Sequence, residues 1–376
     1  MDFALDEMQT MIKDSVARWA EKEYDFEKRR KLAAESGFSE DHWRLFAEMG
    51  WLGAGLSEED GGLGGGAEEA AILAEEFGKV LLLEPSLAVA VLATQCLLGT
   101  GNDAARALVP EIAAGETRVV LAHEEVRAMG VLSHVATTAS TDGAINGVKT
   151  LVIGAPFAAK LIVSARTGGD TRDTNGIALY LVDVDAPGVE KRDYRLSDGQ
   201  RASEITFKGA KGELIAVDGF PALDRAYAHA IVILAAEAVG AMERAMWITR
   251  DYLKTRKQFG RTLNEFQALQ HRMADILIEL ELARSALYKA LGQLDADPAE
   301  RRLVLAALKV QLGKSTRFVG AQAIQLHGGI GVTEEYSIGH YFKRLILVDS
   351  QFGTSAQHQK LLAKAIQAGR LLSSPP

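Results

Sequence analysis

The sequence changes its hydrophobic periodicity twice, and this feature constrains the fold more than any other. Residues 117–215 form a series of short runs rich in Val, Ile and Thr, such as AKLIVSART and IALYLVDVD. Turn signals such as Asp142-Gly143, whose residues tolerate positive φ, separate the runs. Short strands at this spacing are typical of a small antiparallel β domain, either a barrel or a sandwich.

Helical segments flank this block on both sides. On the N-terminal side, apolar residues such as Met8 and Ile12 recur at helical spacing. On the C-terminal side, residues 224–254 contain one glycine and no proline, and Asp297-Pro298 is a favourable start for another long helix. The sequence therefore predicts an α+β fold with three domains: an N-terminal all-α domain (1–116), a middle antiparallel β barrel or sandwich (117–216) and a C-terminal four-helix bundle (217–376).

Composition excludes several classes of function. The net charge of −8 and the pI near 5.6 argue against a nucleic-acid partner. No apolar run reaches the roughly 18 residues of a membrane span, and the acidic N-terminus lacks the apolar core of a signal peptide. The only cysteine, Cys96, lies in an apolar run, which predicts a buried thiol and excludes a disulfide framework. We therefore expect a cytoplasmic protein that does not bind a membrane.

The segment RKQFGRTLNEFQ, residues 256–267, permits two interpretations. As an interhelical turn, it would use Gly260 as a C-cap and Asn264 as the N-cap of the next helix. As a binding segment, it would present the forked cation of Arg256 to a phosphate or pyrophosphate, with Phe259 as an apolar wall. The segment alone does not decide between them.

Two glycine-rich segments also suggest ligand contact. In QLHGGIGVTEEY, residues 325–336, the glycines allow a ligand or another backbone to approach closely. The tract EEDGGLGGG, residues 58–66, is a loop by composition. A phosphate-binding loop at 58–66 would need a preceding strand and a following Lys-Ser/Thr pair, and neither is present.

The order of these segments resembles the acyl-CoA dehydrogenase family over essentially the whole chain. The resemblance rests on RKQFG, followed by QLHGGIG and the Gly-Thr-Ser turn at 353–355, together with WLGAGLSEEDGGLGGG near the N-terminus. The resemblance implies FAD held between subunits and removal of two hydrogens from the α and β carbons of an acyl-CoA thioester. A glutamate would take the α proton and the flavin the β hydride, with an electron-transferring flavoprotein as the acceptor.

The chain departs from the family at the catalytic base. Phe352 occupies the usual glutamate position before Gly-Thr, and Ala230 occupies the alternative position on the first bundle helix. Ile231 replaces the arginine that accompanies the alternative glutamate. Glu237, two helical turns after Ala230, is the one candidate for a relocated base. A positioned general base accelerates such a step roughly a hundred- to ten-thousand-fold, so its loss should make the chain alone very slow.

The middle domain departs from the family as well. Where family members carry "TEPxAGSD" and "KxWIT", this chain reads HEEVRAMG, 123–130, and KTLVIG, 149–154. Leu151 therefore replaces the tryptophan and Ile153 the threonine that flank the flavin ring. Leucine and isoleucine side chains can pack against a ring, but they cannot form hydrogen bonds to it.

The residues that the family extends to a neighbouring subunit's FAD are retained, so the resemblance predicts a subunit that helps bind a partner's cofactor. The N-terminal EYDFEKRRKL especially resembles the small subunits of two-component pimeloyl-CoA dehydrogenases of α2β2 type. The cofactor-binding candidates are Arg256, Phe259, Gln267, Gln325, Leu326, Gly328, Gly329 and Thr354.

Three hypotheses follow. The first is an FAD-dependent acyl-CoA dehydrogenase subunit without the catalytic glutamate, working as a dimer or tetramer with a second acyl-CoA dehydrogenase-type subunit. The second is a homomeric flavoenzyme with a relocated base at Glu237, or an offshoot with monooxygenase chemistry. The third is a flavin-free scaffold or acyl-CoA-binding subunit. No metal ligands are expected in any of them.

Overall fold

A computed structural model describes residues 5–128 and 130–369. Three predicted features extend outside the described residues: the first four residues of the acidic N-terminus, Met129 within HEEVRAMG, and residues 370–376 of the predicted C-terminal bundle. The chain divides into two compact units. The first unit contains residues 5–26, 71–81 and 231–369, and the second contains residues 27–70 and 82–230.

The second unit is built on a mixed eight-stranded sheet. Its strand order is β6-β7-β3-β2-β4-β5-β8, and β1 pairs with β4. The pairs β1–β4 and β2–β4 are parallel and the remaining pairs are antiparallel. The strands are β1 (Val119–Ala122), β2 (Thr138–Ala139), β3 (Ala144–Ile153), β4 (Lys160–Arg166), β5 (Ile177–Asp183), β6 (Val189–Arg195), β7 (Arg201–Lys211) and β8 (Glu213–Ala216).

Burial explains the strand order. The apolar run of β4 is buried on both faces, as expected of a central strand, and β5 beside it is almost as apolar. The sequence VEKRDYR forms β6 at the edge of the sheet, where its charged side chains are exposed and discourage pairing with another chain. Around the sheet lie α2 (Phe26–Ala34), α3 (Glu40–Glu48), a π-helical segment (Leu87–Ala93), α5 (Thr94–Gly99), α6 (Asp103–Arg106) and α7 (Leu108–Ala113).

The glycine tract 58–66 is a packed turn of the second unit. A Cβ on Gly62 would lie 2.2 Å from the carbonyl oxygen of Leu56, and one on Gly65 would lie 2.2 Å from that of Ala54. These glycines therefore serve close backbone approach within the chain. The tract ends where the amide of Gly66 donates to the Glu69 carboxylate in the first turn of a helix.

The first unit is helical. Its helix α10 packs against α9, α11 and α12. The N-cap of α10 is Asp297, whose carboxylate accepts from the amide of Ala299, and Pro298 opens the helix as predicted. The elements are α1 (Glu7–Glu23), α4 (Ala67–Val80), α8 (Phe220–Thr255), the strands β9 (Lys257–Gln258) and β10 (Arg261–Thr262), α9 (Gln267–Leu291), α10 (Pro298–His327), α11 (Ile338–Ser350) and α12 (Ser355–Gln367).

Helices α4 and α8 cross in the first unit through two glycines. A Cβ on Gly78 would lie 1.9 Å from the carbonyl oxygen of Glu237, and one on Gly240 would lie 1.8 Å from that of Glu75. Both distances are far below any real contact of a Cβ atom, so the two backbones touch at this crossing. The single glycine that interrupts the long apolar sequence of α8 is thus a packing requirement.

The predicted succession of helical, strand and helical regions is confirmed. The sheet is mixed where the sequence suggested antiparallel pairing, because β1 and β2 run parallel to β4. The boundaries predicted at 116/117 and 216/217 stay predictions. No helix within the described residues is long and apolar enough to cross a membrane, and no group of acidic, histidine or cysteine side chains in the same residues could hold a metal ion.

Candidate functional site

The RKQFG segment forms a tight hairpin after α8. Strands β9 and β10 pair directly, and the two residues between them, Phe259 and Gly260, have φ of 54° and 81°. Positive φ at both positions is the signature of a type I′ turn, in which asparagine and glycine are usual and phenylalanine is unfavourable. The Phe259 side chain is also 88% exposed. The chain thus tolerates both backbone strain and an exposed aromatic ring at this tip.

The helix-cap interpretation of this segment is wrong. Helix α8 ends at Thr255, before the hairpin, so Gly260 lies in the turn between two strands. Asn264 lies within a short 3-10 turn, and α9 starts at Gln267 with Phe266 as its N-cap. The helix-cap interpretation failed because it did not predict the two short strands β9 and β10, which Phe259 and Gly260 join.

Arg256 stands at the base of this hairpin and is exposed. Its carbonyl oxygen accepts from the amide of Leu263, which closes the hairpin. Within the described residues the guanidinium group forms no hydrogen bond or ion pair. The side chains of Gln267 and Gln325 are exposed as well. The fold therefore leaves a forked cation and two amides available for an external ligand.

The glycine-rich segment begins where α10 ends. Gly328 has φ of 65°, and a Cβ added to Gly328 or to Gly329 would meet no atom within 4 Å. Gly331 differs, because its Cβ would lie 3.1 Å from the Cβ of His327. The first two glycines therefore face open space, whereas the third packs on the helix. Leu326, the other candidate here, is buried and supports the segment from below.

An aromatic cluster brings the hairpin and the glycine-rich segment to the same end of the first unit. The ring of His327, at the last turn of α10, stacks on Tyr252 of α8 with centroids 4.5 Å apart. The ring of Tyr336 lies 5.1 Å from that of His327. Tyr252 is one helical turn before Arg256. The two motifs that the sequence places far apart are therefore anchored on one cluster.

Thr354 has a local role that the sequence did not predict. Its hydroxyl and the amide of Gln357 form one half of a capping box at the start of α12, and the Gln357 side chain accepts from the Thr354 amide to complete it. The half-buried hydroxyl is thus engaged within the chain. Contact with a cofactor stays a prediction for this residue.

The positions expected to carry a base hold apolar side chains. Phe352 lies in the turn between α11 and α12 and has φ of 56°, followed by Gly353 with φ of 88°. Ala230 is fully buried in α8 and Ile231 is nearly so. Neither apolar side chain at the two base positions can accept a proton.

Glu237 is engaged by an arginine. The Arg344 guanidinium of α11 donates to both oxygens of the Glu237 carboxylate, over 2.7 and 2.9 Å. Both side chains are buried. Separating such a pair leaves an uncompensated buried charge and costs roughly 3–5 kcal/mol. The geometry favours a structural ion pair over a mobile base.

In the second unit, Leu151 occupies a bulge of β3. The register against β7 shifts between Lys149 and Val152, and Leu151 has φ of 52°. Its amide donates to the hydroxyl of Tyr194 over 3.1 Å. Ile153 follows in the same strand and is half-buried. Both side chains offer apolar surface only.

Sequence reasoning missed a buried polar cluster behind this bulge. The ammonium group of Lys149 is fully buried and donates to the Glu125 carboxylate over 2.8 Å and to the Ser164 hydroxyl over 2.9 Å. The Glu125 carboxylate also accepts from the amides of Ala136 and Thr137. The only sequence signal was a lysine inside an apolar strand.

The pKa values of this cluster reflect burial and pairing. Burial alone would raise the pKa of Glu125, but the Lys149 ammonium and the hydrogen bonds to the carboxylate outweigh it and lower the pKa to about 2. Burial raises the pKa of Glu124, against the opposing hydrogen bond from the Tyr227 hydroxyl. Burial, with the Lys149 charge, lowers the pKa of His123 to about 3. Glu125 is therefore a carboxylate paired with Lys149 at pH 7, and the neighbouring His123 is a neutral imidazole.

Comparison with known proteins decides the family. The description "Acyl-CoA dehydrogenase, N-terminal domain" matches residues 6–116, and "Acyl-CoA dehydrogenase, C-terminal domain" matches residues 218–367. The acyl-CoA dehydrogenase IpdE2 of Mycobacterium tuberculosis is 32% identical over 317 residues, which cover 84% of this chain and 83% of that protein. The chain belongs to the acyl-CoA dehydrogenase family.

Solved acyl-CoA dehydrogenase structures have the same fold. A variant of the Tcur3481-Tcur3483 steroid ACAD is 29% identical, with a TM-score of 0.88 over 96% of this chain and 98% of that one. A chain of the ChsE4-ChsE5 complex from Mycobacterium tuberculosis is 23% identical, with a TM-score of 0.86 over the whole of both chains. Acyl-CoA dehydrogenases are oxidoreductases, and FAD-dependent dehydrogenation is general for the family.

Proposed function

We propose that this chain is a subunit of an FAD-dependent acyl-CoA dehydrogenase that lacks the catalytic glutamate and contributes side chains to the FAD site of a second acyl-CoA dehydrogenase-type subunit. The reaction would be α,β-dehydrogenation of an acyl-CoA thioester, with an electron-transferring flavoprotein as the acceptor.

The observation that carries the proposal is the exposed surface at the end of the first unit. Arg256 has no partner within the described residues, and Phe259 is held out in an unfavourable backbone conformation. Gly328 and Gly329 leave space that a Cβ would fill. An unpaired guanidinium, an exposed aromatic wall and two bare glycines fit a dinucleotide with a pyrophosphate. An internal structural role would pair the cation and bury the ring.

The residues present suit FAD in distinct ways. Arg256 would bind a pyrophosphate oxygen pair with two parallel hydrogen bonds. Phe259 would cover an apolar part of the cofactor, and the amides of Gln267 and Gln325 would donate or accept hydrogen bonds. When bound, FAD supplies the hydride acceptor for the β carbon of the acyl group.

The apolar side chains at the two base positions support the second half of the proposal. Phe352 and Ala230 cannot remove the α proton of a thioester, and Glu237 is bound by Arg344 within the chain. Loss of a base costs roughly 3–5 kcal/mol of barrier. The partner subunit is therefore expected to provide the base. The name of the 29% identical relative, which joins Tcur3481 and Tcur3483, is consistent with a two-component enzyme.

The experiment is co-expression with an acyl-CoA dehydrogenase-type partner that has an intact glutamate, encoded by a neighbouring gene. We expect the pair to be yellow and to reduce a dye in the presence of acyl-CoA, and the chain alone to be at least a hundredfold slower. Equal turnover and stoichiometric FAD in the chain alone would establish the homomeric enzyme. A pair without flavin absorbance would establish the scaffold.

A substitution tests the proposed cation. Arg256→Ala in the co-expressed pair should lower flavin retention, because one charge-assisted contact to the pyrophosphate is lost. Arg250→Ala is the matched control: Arg250 lies near the end of α8, and its partly exposed guanidinium group pairs with Asp251 and lies over the ring of Trp247. Equal flavin content in both variants and the unsubstituted pair would remove the proposed role of Arg256.

A further inference from the structure

The turn between α11 and α12 is held from below by a buried lysine. Lys309 of α10 is fully buried, and its Nζ donates to the carbonyl oxygens of Gln351 over 2.7 Å and Val348 over 2.9 Å. A longer contact of 3.4 Å reaches the carbonyl oxygen of Asp349. Val348 and Asp349 lie in the last turn of α11 and Gln351 is its C-cap. The last carbonyls of a helix have no amide donor in the next turn, so the ammonium group completes the helix terminus.

The charge state of Lys309 suits this contact. Burial lowers the pKa of Lys309 to about 8, against the opposing attraction of the Asp349 carboxylate. The group is therefore mostly an ammonium ion at pH 7. A buried charge is retained in a fold only where it is compensated, and here three carbonyl dipoles provide the compensation.

The other side of the turn is held as well. The imidazole Nε2 of His358 lies 3.0 Å from the carbonyl oxygen of Phe352, which can only accept, so Nε2 carries the proton. The Asp349 carboxylate accepts from the amide of Ser355 over 2.9 Å and pairs with Arg317 over 2.9 Å. The carbonyl oxygen of Gln351 is thus bound by Lys309, and the carbonyl oxygen of Phe352 is bound by His358.

A glycine in α10 lets this helix pack closely against the turn between α11 and α12. A Cβ on Gly313 would lie 2.2 Å from a carboxylate oxygen of Asp349 and 2.7 Å from the Cβ of Ser355. Gly313 is one helical turn from Lys309, so the same face of α10 supplies both the space and the ammonium group. The turn it supports places Phe352 at φ of 56°, where a side chain is unfavourable.

We infer that Lys309 is a positioning residue, which holds the 351–354 turn so that residue 352 is presented in the left-handed conformation. This inference deepens the proposed function, because residue 352 is the family's usual position for the base. In this chain Lys309 fixes the backbone next to that position, although the side chain there is phenylalanine.

The test compares glycine with alanine at position 352 in two backgrounds. Both substitutions remove the ring, so their difference reports only the backbone conformation. In the otherwise unchanged chain, Phe352→Gly should be the more stable variant, because glycine adopts positive φ without cost. Its equilibrium constant for unfolding should be roughly tenfold smaller than that of Phe352→Ala. In the Lys309→Met background the turn is released, and the ratio should fall below about twofold. Urea unfolding of the full chain measures both ratios.

Phe259 provides the matched control, because it has φ of 54° in a hairpin that Lys309 does not touch. The glycine-to-alanine ratio at position 259 should be the same in both backgrounds. A ratio at 352 that stays near tenfold in Lys309→Met would overturn the inference, since the conformation would then not depend on the lysine.

If Lys309→Met does not fold, Phe352→Gly and Phe352→Ala are compared in the Lys309→Gln background. The glutamine amide keeps two donors on a shorter side chain. The ratio at 352 should then be intermediate. A crystal structure of Lys309→Gln with φ at 352 still positive and the Gln351 carbonyl unbound would contradict the inference. All of these measurements are made without flavin, so they are independent of whether the proposed heteromer exists.

Discussion

Single residues in this chain show that burial and pairing decide their chemistry more than residue type does. Cys96 is fully buried, and burial raises the pKa of its thiol to about 12. The reactive thiolate is therefore absent at pH 8 in the folded chain. We expect no alkylation by iodoacetamide under native conditions and one alkylated site in denaturant, counted by mass spectrometry. Rapid native alkylation would show that the second unit opens locally around α5.

Glu125 gives the second prediction at the residue scale. Its pKa of about 2 in the folded chain lies below the ordinary value of 4.5. A lowered carboxyl pKa adds stability above pH 4.5 and loses it as the pH falls toward 2, here roughly 3 kcal/mol in all. Glu125→Gln should therefore cost about that much at pH 7, and the difference from the unsubstituted chain should shrink in acid.

The control for Glu125 is an exposed pair. Glu190 accepts from Lys208 over 2.7 Å, and both side chains are largely exposed. Glu190→Gln should change the free energy of unfolding by less than about 1 kcal/mol at either pH, because solvent screens exposed pairs. Urea unfolding at pH 7 and pH 3 measures both variants. Equal losses for the two would contradict the role assigned to burial.

At the scale of elements, the crossing of α4 and α8 gives the sharpest prediction. Gly240→Ala would place a Cβ 1.8 Å from the Glu75 carbonyl oxygen, so the two backbones must separate. Alanine favours helix by about 1 kcal/mol over glycine, but the clash should cost roughly 3 kcal/mol or more. Gly168→Ala, where no atom lies within 4 Å, is the control. Thermal unfolding of Gly240→Ala at or above the unsubstituted midpoint would refute the contact.

Elements also show how far sequence reasoning reached. The start of α10 was predicted correctly, because Asp297 and Pro298 act on their immediate neighbours. The hairpin at 257–262 was missed, because Phe-Gly is not a usual type I′ sequence and the glycine was interpreted as a helix C-cap. Local rules therefore succeeded where the residues involved are adjacent and failed where an unfavourable residue is held by its surroundings.

The same limit explains the candidate site. Arg256, Phe259 and the glycines could be proposed as site residues because they lie within short motifs. The pairing of Glu237 with Arg344, 107 residues apart, and the contacts of Lys309 with the end of α11, about forty residues on, depend on how helices pack. The sequence therefore allows a residue within a motif to be predicted, but it does not identify the distant residue that contacts it.

For the whole molecule, the proposed division of labour predicts where FAD stabilises the protein. A ligand that binds only the folded form stabilises it by about 2.7 kcal/mol at a hundredfold excess over its dissociation constant. If the complete FAD site needs the partner, excess FAD should raise the unfolding midpoint of the co-expressed pair stripped of flavin and leave that of the lone chain unchanged. Arg256→Ala should reduce the shift of the pair, whereas Arg250→Ala should not. An equal shift for the lone chain would mean that one type of subunit forms the whole site, and the homomeric enzyme would then replace the heteromer.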